Sequence, residues 1–324
     1  MSTEQFGDMR TEYSKSLIAV GEQDPNVVVL GADTTDSLKT AGFGKKFPER
    51  FFNVGIAEAN LVSVAAGLAY SGKTAFASTY AIFLPGRCVD QIRNAIAYPS
   101  PGNKKGLNVK LVVSHGGLTV GADGGSHQQI EDIAIMRVIP NMRVILPADS
   151  VAVSKLTWII AQQYGPFYMR MCRSKTPIIH NDSQEFQVGK AITMREGSDC
   201  TIAACGITVK MALDAADLLN QDGISCRVID CFSIKPIDKE LLEKAARETG
   251  AIVTCEEHNV MGGFGSAVSE VVSESYPVPI RRIGVQDKFG ESARDNEIPQ
   301  LLEKYGMTPI NITNMVKEAR SQKQ

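Results

Sequence analysis

From Asn26 onward the chain alternates short apolar segments with helical ones, and that alternation restricts its architecture more than any other feature. Asn26 to Leu30, Phe51 to Val54, Thr74 to Ala77, Val109 to Val113, Arg143 to Leu146 and Phe167 to Met171 read as strands. Ala59 to Ser71, Cys88 to Ala97 and Val151 to Gln163 read as helices between them. Near-continuous apolar strands joined through helices imply a parallel sheet covered on both faces. The stretch Ile178 to Glu185, IIHNDSQE, is polar and aperiodic, which divides the chain into residues 1–182 and 183–324. Beyond it lies a second βα series, with strands at Thr201 to Ala204, Ser225 to Ile229, Ile252 to Thr254 and Ile280 to Ile283. Its first helix carries Val209, Ala212, Leu213, Ala216 and Leu219 on one face, the spacing of an amphipathic helix packed on a sheet. The expected fold class is α/β, two parallel-sheet domains with helices on both faces.

Length and charge set outer limits. At 324 residues the chain fits two domains rather than one core. A net charge of -2 provides no general attraction to nucleic acid or anionic lipid, so an anionic ligand needs a local cluster of cations. No apolar run approaches the ~20 residues that span a bilayer, and the start MSTEQFGDMR is too polar for a signal peptide. Seven cysteines without CxxC spacing suit reduced thiols in the cytosol, not a disulfide frame or a zinc site. Cys200, Cys205, Cys226, Cys231 and Cys255 fall on or beside strands and read as small core residues.

In open α/β sheets, ligands bind beyond the carboxyl ends of the strands. The residues just past each strand of the first domain are accordingly informative. The first strand leads into GADTTDS, ending in Ser37; the second into Glu58, at the start of a helix; the third into Tyr80, with Phe83 close behind. The fourth leads into Ser114 and His115, then a glycine-rich loop with Asp123 and His127; the sixth leads to Arg170 and Arg173. Each residue has a structural alternative. An acid in a first turn is favoured by the helix dipole and can simply be a cap, although burial at a strand end suits a carboxyl to proton transfer. A strand-end histidine can be a satisfied hydrogen-bonder, Tyr80 and Phe83 can be core, and the arginines can be a solvated edge. Arg170 and Arg173 lie on opposite faces of an extended segment, so at most one points into a given site. The glycine-rich loop matches neither GxxxxGK[ST] nor GxGxxG. Met261 to Val268, MGGFGSAV, opens a helix after a strand but with GGxG spacing.

The segments GADTTDS, FNVGIAEAN, TYAIF…DQIRNA, SHGGLTVGADGGSHQ, IEDIAIMRVIPNMRVILPAD, RVIDCFSIKPID and EEHNVMGGFGSAVSE, in this order, resemble the C-terminal half of transketolases. The resemblance covers nearly the whole chain and implies a pyrimidine-binding domain followed by a transketolase C-terminal domain. It also implies thiamine diphosphate as cofactor, its pyrimidine end in this chain. Glu58 would hydrogen-bond the aminopyrimidine and favour the imino tautomer that deprotonates the thiazolium carbon. Tyr80 and Phe83 would pack on the ring; His115, Asp123 and His127 would contact sugar hydroxyls, the two histidines also as catalytic groups. Arg10, Ser37 and Arg173 would hold the substrate's phosphate, for which a guanidinium fork is suited. The family's GDG motif, which with a downstream Asn holds the diphosphate and metal, has no counterpart here. The expectation is therefore a subunit of a split, cytoplasmic transketolase. A separate N-terminal subunit would hold Mg2+ or Ca2+, with the active site between subunits of an α2β2 assembly. Transfer of a two-carbon ketol unit between sugar phosphates is the implied activity. Deoxyxylulose phosphate synthase and the β subunit of a 2-oxo acid dehydrogenase are the alternative enzymes; a non-catalytic paralogue is the alternative of another class.

Overall fold

The computed structural model describes residues 4–323. In chain order its strands are β1 (Phe6–Gly7), β2 (Val27–Gly31), β3 (Phe51–Asn53), β4 (Thr74–Tyr80), β5 (Val109–Ser114), β6 (Arg143–Ile145) and β7 (Phe167–Arg170), followed by β8 (Thr176–Pro177), β9 (Ile192–Arg195), β10 (Cys200–Ala204), β11 (Cys226–Asp230), β12 (Ser233–Lys235), β13 (Ile252–Asn259) and β14 (Ile280–Val285). A seven-stranded sheet has the order β12-β6-β7-β5-β4-β2-β3, and a five-stranded sheet the order β14-β13-β10-β11-β9. The short strands β1 and β8 form an antiparallel pair.

Each expected strand is present, but the sheets are mostly, not wholly, parallel. β12 runs antiparallel at one edge of the larger sheet and β9 antiparallel at one edge of the smaller. β12 has one apolar residue, Ile234, between Ser233 and Lys235, so neither periodicity nor composition announced it. It also crosses the division seen in the sequence, since it comes after β11 yet pairs with β6. Leu146 N donates to Phe232 O at 2.7 Å, and the Phe232 ring is buried with Phe76, Val112 and Ile145 of the first domain. The segment expected as one helix over Cys88 to Ala97 is an α-helix, Pro85–Gln91, running into a π-turn, Ile92–Ala97.

Both faces of the larger sheet are covered, as alternation along its strands requires. Val28, Leu30, Leu111 and Val113 meet Leu61, Val62 and Ala65 of the helix Glu58–Tyr70. Val27, Val29 and Val112 meet Tyr13, Leu17 and Val20 of the helix Met9–Gln23 on the other side. All seven cysteines are free and buried, which bears out the reading of five of them as core. The MGGFGSAV turn is not a dinucleotide site. Glu256 accepts the N–H groups of Phe264 (2.6 Å) and Gly265 (2.8 Å), so the anion at this helix N-terminus is the chain's own carboxylate.

Candidate active site

Five neighbouring parallel strands, β7-β5-β4-β2-β3, deliver the predicted residues to one edge. Glu58 opens the helix Glu58–Tyr70 and is buried, with only 6% of its surface exposed. Its carboxylate caps nothing by hydrogen bond. Instead its Oε2 accepts from Arg87 Nη1 at 3.2 Å. The Arg87 guanidinium also lies over the Phe83 ring, 4.4 Å from its centroid, and so bridges the acid to the aromatic group.

Tyr80 ends β4, and Phe83 sits in the 3-10 turn Ala81–Phe83 immediately after it. Their rings stack at 5.6 Å, and the imidazole of His115 lies 3.9 Å from Tyr80. His127 approaches edge-on, 5.4 Å from Phe83 and 6.2 Å from Tyr80. The Tyr80 hydroxyl donates to Ser37 Oγ at 2.8 Å, and Arg10 Nη1 donates to Ser37 O at 3.2 Å. Arg10, Ser37, Tyr80, His115, Phe83 and His127 thus form one connected cluster.

His115 has a left-handed backbone (φ 64°) just past β5, which turns its ring back over the strand ends. Its Nδ1 lies 2.6 Å from Ser114 Oγ. Burial first, then the positive charges of Arg10, Arg173 and His127, push its pKa down to about 3, so it is neutral at physiological pH. His127 comes directly after the 3-10 turn Gly124–Ser126. Ser126 Oγ donates its one proton to Asp123 O (3.2 Å) and therefore accepts from His127 Nδ1 (3.0 Å). Asp123 is brought to the loop but not into the cluster. It is exposed, and its carboxylate has no hydrogen-bond partner among the described residues.

Arg170, which ends β7, and Arg173, three residues on, diverge as their spacing requires. Arg170 is buried, paired with Asp132 at 3.2 Å and donating to Glu257 O at 2.7 Å. Arg173 faces the site edge, 30% exposed, with Asp295 Oδ1 at 2.6 Å from its Nη1. Sequence reasoning missed Arg87 and Asp295. An arginine four residues after Phe83 is a usable signal for the first, because that spacing returns to the same side of a helical turn. Asp295 carries no local signal.

For thiamine diphosphate the donor set fits the pyrimidine end: a buried carboxylate, whose one side-chain partner among the described residues is Arg87, beside a stacked aromatic pair. No cluster of three or more His, Cys, Asp or Glu arranged to hold a metal occurs among the described residues. No helix among them is long and apolar enough to cross a membrane.

Known proteins resemble this chain over nearly its whole length. The family model of the transketolase pyrimidine-binding domain matches residues 7–178, and that of the transketolase C-terminal domain matches residues 189–312. The 6-deoxy-6-sulfo-D-fructose transketolase subunit of Clostridium sp. is 39% identical over 315 residues, 97% of this chain and 95% of that protein. Rat transketolase is 36% identical over 312 residues, which is 95% of this chain but only 48% of that enzyme. A solved structure described as a split-gene transketolase in an inactive β4 tetramer superimposes with a TM-score of 0.89 at 47% identity, covering 98% of this chain and 99% of that one. The chain belongs to the transketolase family and corresponds to the C-terminal half of its full-length members.

Proposed function

We propose that this chain is the C-terminal subunit of a split, thiamine diphosphate-dependent transketolase that moves a two-carbon ketol unit from a ketose phosphate to an aldose phosphate. The observation that carries the reading is Glu58, buried in a helix's first turn and bridged through Arg87 to the Tyr80–Phe83 pair. When bound, the cofactor supplies the nucleophilic carbon and the electron sink for breaking the carbon–carbon bond. The chain's own residues then have distinct tasks. Glu58 gives up Arg87, hydrogen-bonds the pyrimidine ring nitrogen and holds the shared proton there. Tyr80 and Phe83 supply the apolar face against which the ring stacks. Neutral His115 and the ring of His127 bond sugar hydroxyls, and Asp123 meets a hydroxyl farther along. Arg10, Ser37 and Arg173 take the phosphate, in the positive field that His115 already registers.

The diphosphate and its Mg2+ or Ca2+ belong, in this reading, to a separate N-terminal subunit, the two chains assembling as α2β2 around a shared site. Two relatives spanned over nearly their full length support it: one is named as a transketolase subunit, and the other is described as an inactive β4 tetramer of a split-gene transketolase. The division of the chain at residue 182 and a cytoplasmic setting belong to the same proposal, the latter supported by seven free thiols. The test is calorimetry with thiamine diphosphate and Mg2+. Tight binding and turnover are expected only after the N-terminal subunit is added. Micromolar binding by this chain alone would sink the split-site reading.

A further inference from the structure

Two guanidiniums mark the anion end of the site, and each already holds a carboxylate. Asp8 Oδ2 lies 3.6 Å from Arg10 Nη2, and Asp295 Oδ1 lies 2.6 Å from Arg173 Nη1. The two acids are held very differently. Asp8 caps the helix Met9–Gln23, its Oδ1 accepting the N–H groups of Arg10 (3.0 Å) and Thr11 (3.2 Å), so it cannot swing away without uncapping the helix. Asp295 opens the short 3-10 turn Asp295–Glu297; its side chain is 68% exposed, and Arg173 is its one side-chain partner among the described residues.

The backbone beneath Asp295 is fastened to the glycine-rich loop. Ala293 N donates to Gly121 O at 3.4 Å, and Gln128 Nε2 donates to Glu291 O at 2.9 Å. Gly121, at φ 96°, lies directly under the ion pair: a Cβ there would stand 2.6 Å from Asp295 Oδ1 and 3.0 Å from Arg173 Nη1. A carboxylate with a single side-chain partner therefore sits on a backbone tied to the glycine-rich loop.

On the basis of the phosphate site assigned to Arg10, Ser37 and Arg173, we propose that Asp295 is a displaceable counter-ion, supplied by the C-terminal domain, that holds Arg173 in the empty site and yields it to the substrate's phosphate dianion. An exposed ion pair is weak, whereas a guanidinium bonding a phosphate through two N–H groups is among the stronger charge-assisted contacts. The exchange runs toward phosphate and offers nothing to an uncharged substrate tail, so Asp295 lowers the affinity of Arg173 for every anion and sets the threshold that a phosphate dianion must exceed.

The experiment uses the two-subunit holoenzyme and inorganic phosphate as a competitive inhibitor against a phosphorylated ketose donor. Asp295→Asn removes the rival charge and should tighten phosphate inhibition about threefold or more. KM for the phosphorylated donor should fall in step, so the ratio of KM for hydroxypyruvate to KM for that donor rises. Asp295→Glu keeps the charge and should stay near the wild type. Unchanged inhibition in Asp295→Asn overturns the inference; so does weaker inhibition, which would make Asp295 a clamp that orients Arg173. Arg173→Ala separates the two readings. If it weakens phosphate inhibition while Asp295→Asn does not strengthen it, only the counter-ion fails. If Arg173→Ala leaves phosphate inhibition unchanged, the phosphate site itself is wrong and the counter-ion falls with it.

Discussion

Glu58 is surrounded by the ingredients of two competing roles, and the structure weights them. A cap would place its oxygens on the free N–H groups of its own helix, yet the carboxylate goes to Arg87 instead. Glu58→Gln keeps the shape and removes the proton-sharing carboxyl, so turnover of the two-subunit enzyme should fall on the order of 10² or more. Exchange of the cofactor's thiazolium proton should slow in parallel; exchange at the wild-type rate would make Glu58 structural. Arg170 and Arg173 allow a sharper comparison. Arg173→Ala should raise KM for phosphorylated substrates about tenfold or more while sparing hydroxypyruvate, from the loss of charge-assisted bonds worth roughly 1.5–3 kcal/mol each. Arg170→Ala should act differently. It strands the buried carboxylate of Asp132, so the expected loss is of stability, on the order of 3–5 kcal/mol in a denaturant titration, with no selective effect on phosphate.

At the scale of elements, the helix Phe264–Ser275 shows how one acid of the chain occupies a helix N-terminus. Glu256 is buried on β13, its pKa pushed up to about 7 by that burial against the pull of the Gly265 and Phe264 N–H groups. Glu256→Gln retains one acceptor oxygen and turns an amide toward the other backbone N–H, so about 1–3 kcal/mol of stability should be lost. A matching fall in melting temperature checks this, and an unchanged value would mean the second N–H bond contributes nothing. The glycine-rich loop is set by similar contacts with the second domain. Gly117 has φ 85°, and a Cβ there would stand 2.1 Å from the buried Glu257 carboxyl carbon. That steric demand, not phosphate binding, accounts for a glycine at this position.

For the whole molecule, the junction between the two sheets contains a buried charge cluster. His180 Nδ1 lies 3.1 Å from Asp149 Oδ2, and its Nε2 lies 3.3 Å from Asp230 Oδ2, at the end of β11. Phe186 packs edge-on against the ring at 5.1 Å. Burial by itself would lower the His180 pKa, but the two carboxylates outweigh it and hold the group up at about 9. Its folded value lies above the unfolded value of about 6.5. The stabilisation is therefore complete below about pH 6.5 and lost as pH rises through about 9. Between those limits the wild type should lose on the order of 5 °C more in melting temperature than His180→Asn. Parallel pH curves for the two proteins would rule out a charged His180 at this junction.

The residues that could be placed from sequence are those whose role is written in local pattern. Apolar runs of four or five residues separated by helical spacing predict parallel strands, because a strand covered on both faces has no polar side to show. The chemistry-bearing residues then fall at one edge, because βα connections bring every strand's carboxyl end to the same side. Glu58, Ser37, His115 and His127 were therefore legible at that edge, whereas the resemblance gave Tyr80 and Phe83 their role, selected Arg173 over Arg170 and added Arg10. Asp123 was legible as a loop residue, but its carboxylate stands apart from the cluster. The fold alone decided the contacts between residues remote in the chain. β12 joins the first domain's sheet from beyond the apparent boundary, Arg87 crosses to Glu58, and Asp295 crosses 122 positions to Arg173. No periodicity encodes such pairs. Hydrophobic patterning specifies which face of an element is buried, whereas the partner of a charge depends on where packing brings the next element.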